Sequence, residues 1–340
     1  MPRGNLFQQK VATLIVTMVA PASFAQAPPA ATPPGDVTGI GNFSHIVQNL
    51  DRSLGFYEAL GLQPTFPPRP FDPNPAIMMM GNTVGAQSRF VALHVPGSAI
   101  GVEIIEYKDI NRKPAHPRFQ DPGAGNLAIR VRDLDSLLPK LKQAGGRVLT
   151  VGGEPAKVGN VRAIFMQDPD GFIVEIGQPL NPPAASQDSG NILGGTFELT
   201  VDNLEQTADF YRLLGIQTGP AAAFNPDKLM TDTAGTPGAQ FRQSHAPVPG
   251  STAVLSFIEF KDIDRKPLHT RVQDPGTTVL QLMVRDVDAT VAKIKAGGGE
   301  IVSVGGQAVA VPNVGKIALA RDPNNLYLEL IERQARRQSN

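Results

Sequence analysis

Apolar and polar positions along the chain change period in a regular way. Residues Ile40 to Gln48 read as a strand. Leu54, Tyr57 and Leu60 then recur at helical spacing, with Asp51 as the expected cap and Gly61 as the stop. A Pro-rich loop (64–75) leads to three predicted strands near 76–81, 88–95 and 100–107, separated by Gly and Pro. The same order follows at once. Leu127 to Val131 is a strand, Leu134, Leu138 and Leu141 mark a helix ending at Gly145-Gly146, and strands follow near 147–150, 161–167 and 172–177. Asp168-Pro-Asp-Gly171 is the turn between the last two. This stretch is therefore two successive βαβββ units.

Residues 179–191 (PLNPPAASQDSGN) carry few apolar side chains and read as a linker. Beyond it the pattern returns. A helix is expected near 204–214, and a second, carrying Val287, Val291 and Ile294, stops at Gly297-Gly298-Gly299. The recurrence is a duplication at an offset of 153 or 154 residues. KDINRKPAHPRFQDPG (108–123) answers to KDIDRKPLHTRVQDPG (261–276), with 12 of 16 positions identical. NLDRSLGFYEALGL (49–62) answers to NLEQTADFYRLLGI (203–216), and DPDGFIVEI (168–176) to DPNNLYLEL (322–330). A period this long indicates whole domains, not solenoid repeats.

Composition narrows the partners. The 340 residues hold 31 basic and 31 acidic side chains and no cysteine. Balanced charge with no basic stripe argues against a nucleic-acid partner. Disulfides, thiolate metal sites and a Cys nucleophile are excluded. The first 27 residues carry only Arg3 and Lys10 as charges, then an apolar run from Val11 to Ala20, then Ser23-Phe24-Ala25 and Ala25-Gln26-Ala27 as small-x-small steps. That is the layout of a secretory signal peptide, and no window approaches a membrane span. The expected organisation is a signal peptide (1–27), a Pro/Ala tether (28–37), domain 1 (38–178), the linker (179–191), domain 2 (192–333) and a charged tail (334–340). The expected location is periplasmic or secreted.

Asn-Leu-Asp-Arg-Ser followed by Phe-Tyr and Leu-Gly-Leu resembles the start of a vicinal oxygen chelate domain. That family includes glyoxalase I, extradiol dioxygenases, and fosfomycin- and bleomycin-resistance proteins. Ile129-Arg-Val-Arg-Asp-Leu-Asp135 resembles the start of its second unit, and Asp168-Pro-Asp-Gly with Glu175, and Asp322-Pro-Asn-Asn with Glu329, resemble its last hairpin. The resemblance implies an α+β fold of two tandem domains, each of two βαβββ units forming a U-shaped mixed sheet around a cavity. It implies a small-molecule substrate or ligand and a divalent metal. Carried over by position, the metal ligands of domain 1 are Asn42, Glu103, Asn126 and Glu175. In domain 2 the matching positions are Thr196, Ser256, Val279 and Glu329. One carboxylate does not hold a hard cation among neutral neighbours. The expectation is Mn, Mg or Fe in domain 1 and no metal in domain 2.

Other residues have two readings each. His116 and His269, at matching places in the doubled stretch, are candidate acid–base or substrate-binding groups, or loop residues. His45 is a second candidate base, although strand alternation points it away from Asn42's face. Arg112, Arg118, Arg265 and Arg271 are candidate anion-binding groups, or solvated charges on a connection. Glu103 and Glu175 either hold an ion or are polar cavity walls. Two function classes follow: a lyase or dioxygenase acting in domain 1, or a metal-free protein that sequesters a small molecule. Processing after Ala25 or Ala27 is the expected outcome of an intact-mass measurement on extracytoplasmic protein; a full-length cytoplasmic chain alone would refute it.

Overall fold

The computed structural model describes residues 36–183 and 190–334. The expected signal peptide, most of the tether, linker residues 184–189 and the tail from 335 lie outside the described residues. The chain runs through four units. The first holds β1 (Val37–Ile46), α1 (Leu50–Leu60), β2 (Gln63–Pro64), α2 (Pro75–Met80), β3 (Gln87–His94) and β4 (Gly101–Lys108). The second holds β5 (Gly125–Val131), α3 (Leu138–Gln143), β6 (Arg147–Val148), β7 (Ala156–Val158), β8 (Val161–Gln167) and β9 (Ile173–Pro179). The third holds β10 (Ile192–Val201), α4 (Leu204–Leu213), α5 (Lys228–Thr233), β11 (Gln240–Pro247) and β12 (Val254–Lys261). The fourth holds β13 (Thr278–Val284), α6 (Val287–Ala296), β14 (Glu300–Ile301), β15 (Val309–Val311), β16 (Gly315–Arg321) and β17 (Tyr327–Arg333).

Two local expectations change. The segment near 76–81 is a helix. The Asn74 side chain accepts the Ala76 N–H at 3.1 Å and Pro75 occupies the first turn, both helix-starting features. The buried–exposed–buried order of Met78, Met79 and Met80 mimics a strand. The short β2 takes the strand's place in the unit. The cap of α1 is Asn49, whose side chain accepts the Arg52 N–H at 2.9 Å. Asp51 sits in the first turn and pairs with Arg89.

The α+β class and the tandem domains are as expected, and each sheet is built of two units around a cavity. The units, however, combine across the halves. One sheet has the order β14-β16-β17-β13-β1-β4-β3-β2, so it joins the first unit to the fourth. The other has the order β11-β12-β10-β5-β9-β8-β6 and joins the second unit to the third. The joints are antiparallel: Phe43 lies opposite Leu280 in one, and Phe197 opposite Leu127 in the other. Phe43 and Phe197, the same residue of the two copies, stack between the sheets with ring centroids 3.9 Å apart. Gly125 makes room for this, because a Cβ there would lie 2.3 Å from Phe43 Cζ. One apolar core spans all four units, with Leu50, Leu141, Leu204 and Ile294 from the helices packed on it.

Two features of the repeat are explained by this packing. Glu106 and Glu259 face away from the cavities, as alternation requires, and accept the first helical N–H of α1 and α4, from Leu50 and Leu204, each at 2.9 Å. Asp168 accepts N–H bonds from Asp170 and Phe172, and the Tyr57 hydroxyl reaches it at 3.1 Å. Asp322 repeats this with Asn324, Leu326 and Tyr211. The Phe-Tyr and Asp-Pro signatures are thus two ends of one buried contact.

A half expressed alone lacks the partner strands of β10 and β13. The sequence alone favours an independently folding domain 2; the strand pairing reverses that expectation. Residues 190–334 alone are expected to associate as a dimer or aggregate, and to form a soluble 1:1 complex when co-expressed with residues 36–183. Sedimentation of both preparations checks this; a monomer with a cooperative melt would refute it. Phe197→Ala is expected to lower stability by about 3–5 kcal/mol in denaturant melts.

Candidate functional site

The crossing of the halves decides which polar residues meet. Glu103 of β4 lies beside Ser44, and Glu329 of β17 beside Gln281, in the first sheet. Glu198 of β10 lies beside Ser256 and Asn126, and Glu175 of β9 beside Ala128, in the second. Asn42, Glu103, Asn126 and Glu175 therefore do not form one site: the first two belong to one cavity and the last two to the other. The four expected ligands all belong to one half, whereas each sheet draws its polar strands from both halves. The counting of one carboxylate in domain 2 fails for the same reason. Each cavity holds two.

The cavity of the second sheet is open. It has a volume of about 190 Å³ and is bounded by Glu175, Ala128, Arg130, Thr196, Ser256 and His245. Residues Gly97–Ile100, the turn before β4, form one rim. Below it the sheet face is apolar, with Phe119, Phe165, Ile173 and Phe260. Glu175, Glu198, Asn126 and Ser256 are all buried. The amide of Asn126 donates to Glu198 Oε2 at 2.6 Å. Four neighbouring oxygens have no hydrogen-bond partner: Glu175 Oε2, Glu198 Oε1, Asn126 Oδ1 and Ser256 Oγ. Burial raises the pKa of Glu175 well above the carboxylate range and the nearby Glu198 raises it further; burial raises Glu198 as well. At neutral pH the pair keeps a proton.

The matching polar cluster of the first sheet is joined by its own hydrogen bonds. Gln281 Nε2 donates to Glu103 Oε2 at 3.0 Å and to Glu329 Oε2 at 3.1 Å, and its Oε1 accepts the Asn42 N–H at 2.9 Å. Ser44 Oγ donates to Glu103 Oε2 at 2.9 Å. Burial, then the charge of Glu103, pushes Glu329 up to about 8. The Asn42 side chain itself lies against Gly101, beside this network. Glu198, Ser44 and Gln281 escaped the sequence reading. The signal available was a polar residue within an otherwise apolar strand, two residues after the positions chosen by motif spacing.

The doubled stretch reaches the floor of the open cavity through Phe119, while its charged residues serve a different contact. It joins β4 to β5 and β12 to β13 at the opposite strand ends, roughly 16 Å along the strand from Arg130 to Gly125 at about 3.3 Å per residue. The two copies meet each other there. Lys113 N–H donates to Asp274 and Lys266 N–H donates to Asp121, both at 2.8 Å. Arg118 and Arg271 pair with Asp121 and Asp274 in their own copies. Arg112 donates to the Val47 carbonyl, and Arg265 to that of Asp202. His116 and His269 line a crevice between the copies together with Asp121 and Asp274, and neither lines the open cavity. These arginines and histidines are corrected from cavity residues to parts of the interlock. His45 is fully buried among Phe43, Tyr57 and Phe172, and burial lowers its pKa to about 3. It is a neutral core residue on the face away from the cavity.

No cluster of three or more His, Cys, Asp or Glu side chains occurs among the described residues. Glu175 and Ser256 line the open cavity, and Glu198 and Asn126 stand beside them in register on β10 and β5, so two carboxylates, an amide oxygen and a hydroxyl adjoin it. This oxygen-only set with unpartnered lone pairs suits a hard divalent cation such as Mg or Mn, and lacks the imidazoles that favour Zn.

A comparison with curated proteins finds no match. Among solved structures, glyoxalase I from Zea mays is similar with a TM-score of 0.56 at 20% identity, over 87% of this chain and 93% of that one. A candidate dioxygenase from Bacillus subtilis subsp. subtilis str. 168 is similar with a TM-score of 0.54 at 13% identity, over 89% of this chain and 87% of that one. At these identities the likeness is one of fold. The model of the Glyoxalase/Bleomycin resistance protein/Dioxygenase superfamily matches residues 39–176 and again 195–330. With nearly all of both halves matched and the two-unit sheets in place, the chain belongs to the Glyoxalase/Bleomycin resistance protein/Dioxygenase superfamily, as two tandem domains.

Proposed function

We propose that the protein is an exported, divalent-cation-dependent enzyme of the lyase or dioxygenase type, acting on a small molecule in the cavity between β5, β9, β10 and β12. The observation that carries this reading is the set of four buried, unpartnered oxygens of Glu175, Glu198, Asn126 and Ser256. Buried acceptors without donors are costly, and a cation among them would remove the cost. Glu175, Glu198 and Asn126 would hold the ion, with Ser256 completing the set. A bound divalent ion supplies Lewis-acid polarisation of a substrate oxygen. Glu175 lines the cavity and is the carboxyl that a substrate held there would meet. Burial, then the charge of Glu198, raises its pKa above the carboxylate range, the direction that favours a proton-transfer role. The apolar wall below excludes water from that end. A metal-free sequestering role fits less well, because an apolar ligand would leave the four oxygens unpaired.

Calorimetric titration with Mn²⁺ tests the reading. Wild-type protein is expected to bind one ion in this cavity. Glu175→Gln and Glu198→Gln are each expected to weaken binding beyond the roughly 10–100-fold that loss of a supporting residue costs. Glu103→Gln is expected to leave it unchanged. Loss with Glu103→Gln but not with Glu198→Gln would place the site in the other cavity and refute the assignment.

The pH dependence has a definite sign. Both folded carboxyls titrate above their unfolded value, so the metal-free pair contributes most to stability in acid. That contribution is lost as pH rises through the folded pKa values. Cation binding releases the retained proton, so Mn²⁺ affinity is expected to rise from pH 6 to pH 8. The accompanying increase in melting temperature is expected to be larger at pH 8. A flat or inverted profile would contradict the retained proton.

A further inference from the structure

The two cavities descend from one ancestor, so their differences identify what one of them has acquired. At the mouth of the open cavity stands Arg130, on the cavity face of β5 two residues beyond Ala128. Its place in the other cavity, 153 residues on, is Met283 in β13. Arg130 pairs in register with Gly194 on one side and Gly177 on the other. The guanidinium thus extends between two strands that present bare backbone. A Cβ at Gly194 would lie 3.3 Å from Arg130 Nη2, so that glycine, at φ +146°, keeps the guanidinium's place clear. Among the described residues Arg130 forms no salt bridge, unlike Arg89, Arg118, Arg242 and Arg271, which each hold a carboxylate. Glu175, level with Ala128, is a carboxylate further down the same face, and Arg130 forms no ion pair with it. His245 lies across the mouth, opposite Ser256; the matching position beside Glu103 is Ala92. Arg130 and His245 are thus present only in the cavity whose oxygens are unpartnered.

We infer that Arg130 is the anion-recognition residue of the open cavity, and that its ligand is a small molecule bearing an oxyanion, a carboxylate or a phosphate, held at the mouth while its other end reaches Glu175. An unpaired guanidinium presents two parallel donors that match either group. The spacing sets the ligand's shape. Arg130 and Ala128 are two residues apart, about 7 Å along the strand at 3.3 Å per residue, and Glu175 lies level with Ala128. The anionic group is therefore separated from the reacting end by several bonds. The cavity of about 190 Å³ admits such a molecule. The two sheets are thereby differentiated: the first has Met283 in place of Arg130, and Gln281 joins its carboxylates.

This inference rests on the proposed function for its reacting end, but its test is separable. Binding of succinate, of inorganic phosphate and of the neutral succinamide is measured calorimetrically on the full chain, with and without Mn²⁺. At least one anion is expected to bind and succinamide to bind less. Preference for succinate or for phosphate tells which oxyanion the mouth accepts. Arg130→Met, which installs the residue of the other cavity, is expected to weaken anion binding roughly tenfold or more, the worth of a charge-assisted contact. Arg130→Lys is expected to recover part of it. Mn²⁺ binding is expected to survive Arg130→Met. Equal anion binding by wild type and Arg130→Met, or no binding of either anion, overturns the inference. Anion binding that depends on Arg130 without any Mn²⁺ binding would uphold it and overturn the cation reading instead.

Discussion

The antiparallel joining of β1 to β13 and of β5 to β10 is the constraint on which the rest depends. Each joint closes a sheet whose two units come from different halves of the chain. Neither half then owns a complete cavity or a separate core. The stacked Phe43 and Phe197 sit where the two joints approach, and Gly125 is small because Phe43 passes over it. The doubled stretch serves the same end from outside. Its aspartates accept backbone N–H bonds from the opposite copy, which explains strong internal identity in residues that touch no cavity.

Duplication has left two cavities that share an architecture and differ in state. In one, Gln281 holds both carboxylates and every near donor is used. In the other, the amide is shorter, Ala128 stands where Gln281 does, and four oxygens have no partner. Ala128 in place of Gln281, Asn126 where the other copy has Val279, and the exchange of Ser44 and Glu103 for Glu198 and Ser256 together separate a bonded polar network from a cluster of unpartnered oxygens. Arg130 and His245 add polar groups to the rim of that same cavity. Chemistry thus concentrates in one of two sites, while both sheets contribute to the common core.

The outward-facing carboxylates have a different part. Glu106 and Glu259 receive the first N–H groups of α1 and α4, and Arg89 and Arg242 cover them. Asp168 and Asp322 close the last hairpins and meet Tyr57 and Tyr211 from the first helices of each half. These contacts hold the helical layer against the sheet. They fix the strands at one end, so that the cavity residues at the other end keep their register.

The sequence by itself determined the duplication, the βαβββ order, the family and the alternation that places Glu103 and Glu106 on opposite faces. These depend on periodicity and on short-range motifs, which the chain carries locally. Motif spacing also located Glu103 and Glu175 as buried polar positions within β4 and β9, because it fixes a residue's place along its own strand. It did not carry their partners. Strand pairing is a contact between residues far apart in sequence, and a duplicated chain satisfies the same hydrophobic pattern whether its units pair within a half or across the halves. Only the tertiary structure decided that Glu175 meets Glu198 and that Glu103 meets Glu329. It likewise decided that His116, His269 and the loop arginines lie at the far end of the strands. Their residue types suited a site, but their positions were set by the joint between the two copies.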